Sequence, residues 1–137
     1  VPALEEQGFE VNYFSPTEYG VPSYYELVFV AGEENLSKNS DKIQRFLRAS
    51  KKGFEDMKAN PDESLKILME NQNAENFPLT ESVEKKSFNT LIPVMETKDA
   101  QFLSQDTKVW QDNIDWLVKE GLLKKSFDAS EVVKNLN

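Results

Sequence analysis

The chain contains no cysteine and no histidine. Its residues therefore cannot supply a disulfide, a thiolate nucleophile, a zinc finger or a Ser-His-Asp triad. Positive charge is also scarce: 16 Lys and Arg stand against 24 Asp and Glu, a net −8 at pH 7. That balance argues against non-specific nucleic-acid binding, which depends on cations neutralising phosphates. No apolar run approaches the roughly 20 residues that cross a bilayer. The acidic positions Glu33, Glu34 and Asp56 lack the Asp-x-Asp-x-Asp-Gly spacing of a calcium loop. No cofactor is expected.

The richest stretch is Glu18-Tyr19-Gly20-Val21-Pro22-Ser23-Tyr24-Tyr25-Glu26-Leu27-Val28-Phe29-Val30-Ala31. Gly20 and Pro22 set a loop, and the β-branched and aromatic content of Leu27–Ala31 predicts a strand after it. Tyr19, Tyr24 and Tyr25 offer flat rings with polar tips. Such rings suit one wall of a small-molecule site, and they serve equally to cover a strand end. If 24–31 is a strand, Tyr24 and Tyr25 point to opposite faces, so at most one of them faces a cleft.

Around this stretch the chain reads as mixed α/β at its start and helical thereafter. Val1–Gln7 ends a helix closed by Gly8, and Phe9–Phe14 alternates as a strand. Ser40 begins a helix with Ile43, Phe46, Leu47, Ser50, Phe54 and Met57 on one face. Asn60 with Pro61 starts the next, which carries Leu65, Leu68 and Met69. A third starts near Thr80 and meets Pro93, which should kink it or split it in two. A fourth spans about Asp106–Glu120 and stops at Gly121; Asp128 caps a short last one. Trp110 and Trp116 lie on different faces of the fourth helix, where packing is favoured over ligand stacking. No repeat or long linker intervenes, so residues 1–137 are expected to form one structural unit.

The segment Glu18-Tyr19-Gly20-Val21-Pro22-x-Tyr24-x-Glu26-Leu27-Val28, with Phe46-Leu47-Arg48-Ala49-Ser50-Lys51-Lys52-Gly53 and Asn60-Pro61-Asp62-Glu63-Ser64, resembles the NMT1/THI5-like solute-binding proteins of ABC importers. The resemblance runs from about Ala3 to Trp116. It implies an α/β class, the C-terminal part of a two-lobed type II periplasmic-binding-protein-like fold: a short β region and then a mostly helical portion. Residues 1–22 would end the second lobe and 23–137 return to the first. Family members are longer, begin with a first half that is not represented here, and carry a Trp-Thr-Pro-Asn-type strand end. The chain therefore reads as a C-terminal fragment of an extracytoplasmic receptor, anchored to the membrane as a lipoprotein through a missing N-terminal segment.

The resemblance further implies a pyrimidine-like thiamine precursor as ligand and ABC permease subunits as partners. Glu18, Tyr19, Ser23 and Tyr24 are then the candidate ligand-binding residues. A carboxylate can pair with the ring nitrogen and amine of an aminopyrimidine while a phenol stacks on it. Receptors for nitrate, sulfonates or riboflavin-like compounds are related alternatives, and Glu18 tilts the choice away from anions. Fungal relatives are enzymes that make the thiamine pyrimidine with a histidine and a cysteine-rich segment. This chain has neither residue, so a non-enzymatic binding role is expected. A strand and helix faces that have lost their sheet should seek a second copy, most simply as a two-fold dimer.

Overall fold

The structure, a computed structural model, describes residues 1–98 and 100–136. Among them are six helices: α1 (Pro2–Glu6), α2 (Glu33–Lys38), α3 (Ser40–Ala59), α4 (Pro61–Glu70), α5 (Glu81–Met95) and α6 (Thr107–Lys119). Two single 3-10 turns, Pro16–Tyr19 and Ala129–Glu131, complete the regular structure.

Helix ends fall where local chemistry puts them. α1 and α4 open on prolines, whose fixed φ and absent N–H suit a first turn. Gly8 and Gly121 sit just past α1 and α6 at φ +85° and +74°, a region that costs glycine nothing. The Asp106 carboxylate accepts the Lys108 N–H at 2.8 Å and caps α6. α5 runs on through Pro93, two residues before its end, so the lost hydrogen bond falls in the last turn and one helix results.

No strand forms among the described residues, which corrects the short β region expected at Phe9–Phe14 and Tyr24–Ala31. Both runs have strand-like side chains, but a strand is held by a ladder to a neighbour and by burial of a face. Neither support is present. The second run bends at Glu26 and Leu27, and Leu27 and Val30 are 95% and 88% exposed.

Although no linker is visible in the sequence, contacts gather the chain into two compact units. The first comprises Val1–Tyr13 and Ala49–Phe102; the second comprises Phe14–Arg48 and the chain from Leu103 onward. The boundary at Arg48 and Ala49 falls inside α3.

In the first unit Phe54 of α3 and Leu65 of α4 are buried. The Phe102 ring stacks on Phe54 at 4.1 Å, and the Lys58 ammonium sits 4.8 Å from the same ring. Lys58 also pairs with Glu96. That contact, together with the Phe102 N–H, holds the Glu96 carboxyl below its ordinary range. α1 meets α5 through Glu6, which accepts from Ser82 Oγ at 2.7 Å and faces Lys86 at 3.6 Å.

In the second unit the C-terminal tail folds back on α6. Ile114, Ala129 and Val133 are buried there. Gln111 fixes the tail from both ends of its amide: it donates to the Phe127 carbonyl at 3.2 Å and accepts the Ala129 N–H at 2.9 Å. Asn135 likewise exchanges two 2.8 Å hydrogen bonds with the backbone of Gln105, just ahead of α6.

Candidate functional site

Trp110, Asn113 and Leu117 stand three and four positions apart and so share one face of α6, with Val109 beside them. Tyr24 and Tyr25 come against that face, and together these side chains line a groove of about 230 Å³. A dry cavity of about 150 Å³ admits benzene, so the groove has room for one substituted six-membered ring. It is below the roughly 300 Å³ at which ordinary ligand pockets begin.

The groove is held by hydrogen bonds at its rim. Tyr25 stacks on Trp110 with centroids 6.1 Å apart and planes 24° from parallel. Its hydroxyl accepts the Asp106 N–H at 2.8 Å, at the cap position of α6. The Trp110 indole N–H donates to Gln105 Oε1 at 2.8 Å. The Asn113 side-chain amide donates to the Ser23 carbonyl at 2.6 Å and to the Val109 carbonyl at 2.8 Å. Among the described residues, neither a carboxylate nor a cation lines the groove.

The sequence candidates fall at different places. Tyr24 lines the groove, and Ser23 borders it through the carbonyl that Asn113 holds. Glu18 and Tyr19 lie on the Pro16–Tyr19 turn, closed by Gly20 at φ +90°, and do not line the groove. Tyr19 is 73% exposed and meets Phe14 edge-on at 5.2 Å. The expectation that Tyr24 and Tyr25 face opposite ways is corrected: both line the same groove, because alternation belongs to a strand and this segment is not one. Trp110, read from sequence as a packing residue, is half-buried and forms a groove wall. Asn113 belongs to no motif in the sequence. The available signal was one amide among apolar residues at helical spacing on α6.

A second hollow of about 220 Å³ lies in the first unit between α4 and α5, lined in part by Leu65 and Phe88. Its charged pair, Asp62 and Lys85, is already joined at 2.9 Å. Among the described residues no three His, Cys, Asp or Glu side chains are grouped to hold a metal. No helix there is long and apolar enough to cross a membrane.

Residues 1–64 match the family described as NMT1/THI5 like. Over 135 residues, 98% of its length, the chain is 36% identical to the formylaminopyrimidine-binding protein of Halalkalibacterium halodurans. Over 130 residues, 94% of its length, it is 29% identical to a Haemophilus influenzae protein named for thiamine biosynthesis. It spans 41% and 38% of those two proteins.

Proposed function

We propose that the chain, whose residues 1–64 match the NMT1/THI5-like family, serves in an extracytoplasmic receptor that captures a thiamine-precursor pyrimidine for an ABC importer. The observation that carries this is the 36% identity, over nearly the whole chain, to a protein named for binding a formylaminopyrimidine. The tyrosine and tryptophan walls of the α6 groove support it, since flat rings stack on a flat heteroaromatic ligand. That no cation lines it among the described residues weighs against nitrate or a sulfonate, whose anions want charged donors. The role is capture rather than catalysis.

In this reading Glu18 and Tyr19, exposed on their turn, reach the ligand when the receptor closes about it. The test is a chimera in which these 137 residues replace the matching stretch of the H. halodurans protein, titrated calorimetrically with a formylated aminopyrimidine. Glu18→Ala or Tyr19→Ala should weaken binding by about 1–3 kcal/mol, the cost of a lost hydrogen-bond partner or stacking wall. Full affinity in both variants removes the two residues from the site. A folded chimera that binds no pyrimidine removes the receptor function itself.

Association between copies is part of the same proposal. Leu27, Phe29 and Val30 are exposed on a run that forms no strand among the described residues, an apolar surface that favours covering by another chain. Light scattering at micromolar concentration should show a species larger than 15.7 kDa. A strictly monomeric solution would contradict it.

A further inference from the structure

We infer that Asn135, which does not line the α6 groove, is a positioning residue for it: the C-terminal tail holds Gln105 and, through the Gln105–Asp106 peptide, sets the two aromatic walls Trp110 and Tyr25. The consequence for binding rests on the ligand-capture function proposed above. The coupling between tail and groove is a property of the second unit alone.

Both walls are tied to one dipeptide. The Trp110 indole N–H donates to Gln105 Oε1 at 2.8 Å, and the Asp106 N–H donates to the Tyr25 hydroxyl at 2.8 Å. Because the two rings stack on each other, a shift of residues 105 and 106 moves them together. The tail grips the same place. Asn135 Oδ1 accepts the Gln105 N–H, and its amide nitrogen donates to the Gln105 carbonyl, each at 2.8 Å. That carbonyl and the Asp106 N–H belong to a single planar peptide unit and point to its opposite edges. One edge is therefore held by Asn135 and the other by Tyr25, so the orientation of the plane is fixed by the tail on one side and by a groove wall on the other.

The backbone here has a reason to move once it is released. Leu103, two residues before Gln105, stands at φ +67°, in the left-handed region that a leucine rarely adopts. Relaxing that strain would carry residues 105 and 106 with it, and the two Asn135 hydrogen bonds oppose this. Asn135 is exposed and contributes no core, whereas Ala129 and Val133 are buried and Gln111 holds the Ala129 N–H. The tail thus stays on α6 without Asn135, and what the side chain adds is the placement of Gln105.

The test follows the indole N–H resonances of Trp110 and Trp116 by NMR in the 137-residue chain. Trp116 lies on another face of α6 and does not line the groove, so it reports on the unit as a whole. In Asn135→Ala the Trp110 resonance should move upfield and exchange faster with water as its bond to Gln105 loosens, while Trp116 and the urea midpoint stay in place. In a Gln105→Ala background, where the indole has already lost its acceptor, Asn135→Ala should add no further shift at Trp110. Pyrimidine, titrated at millimolar concentration, should bind Asn135→Ala about three- to tenfold more weakly than the unmutated chain, the range over which residues remote from a ligand change its affinity. An unmoved Trp110, equal movement of both indoles, or a pyrimidine affinity unchanged by Asn135→Ala overturns the inference. If pyrimidine does not bind the unmutated chain, the groove is not the pyrimidine site, and the two indole resonances still decide whether the tail sets its walls.

Discussion

Phe54→Ala is expected to destabilise the first unit by about 3–5 kcal/mol, the usual range for deleting a buried phenylalanine. The effect should lie in the upper part of that range because the ring is buried and serves two contacts at once. It is 4% exposed, it carries the Phe102 ring at 4.1 Å, and it lies under the Lys58 ammonium. Alanine would leave a cavity beside Phe102 and remove the face that Lys58 covers, so the lost transfer energy and the lost dispersion contacts add. Against a net stability of about 5–15 kcal/mol for a whole domain, a loss of this size is large. Urea unfolding, with hydrogen exchange at the α3 and α5 amides, provides the measurement. Phe54→Leu should retain much of the stability, and a loss under about 1 kcal/mol in Phe54→Ala would show that the ring is not the centre of this unit.

The elements that could be read from sequence are those whose causes are local. Asp106 and Asp128 cap the segments that follow them, Pro61 opens α4, and Gly8 and Gly121 take up left-handed conformations beyond helix ends. In each case the signal and the structure lie within a few residues of each other. The run at 24–31 fails for the opposite reason. Its composition suits a strand, but composition states a preference only for a pleated, half-buried surface, and Leu27 and Val30 have no such surface. The candidate site divides in the same way. Tyr24 was visible because tyrosines clustered at a turn are unusual in themselves. Asn113 was not, since a lone amide on a helix reads as a solvated residue. Its role depends on the Ser23 carbonyl 90 positions earlier in the chain. Trp110 reads from sequence as a packing residue of the fourth helix. Sequence alone could not show that Tyr25 stacks on one side of it, leaving the ring as a wall rather than enclosed core.

Ile114→Ala should destabilise the second unit by about 2–5 kcal/mol and weaken the groove with it. Ile114 is 5% exposed and belongs to the helix that carries Trp110, Asn113 and Leu117. Ala129 and Val133, buried in the same unit, are the apolar residues by which the tail lies on α6. Removing three carbons from this small core loosens the tail's apolar attachment and leaves Gln111 and Asn135 to hold it by hydrogen bonds alone. Such hydrogen bonds, two of them exposed and one half-buried, contribute about 1 kcal/mol each. Exchange protection should therefore fall at residues 129–133 and along α6, tryptophan emission should shift to the red, and ring binding should weaken although no groove residue has changed. Ile114→Val, which keeps most of the volume, should cost about 0.5–1.5 kcal/mol and leave the groove signals in place. If Ile114→Ala loses under about 1 kcal/mol with the tail still protected, then the hydrogen bonds rather than the apolar contacts hold the second unit. In that case Gln111→Ala, not Ile114→Ala, would release the tail.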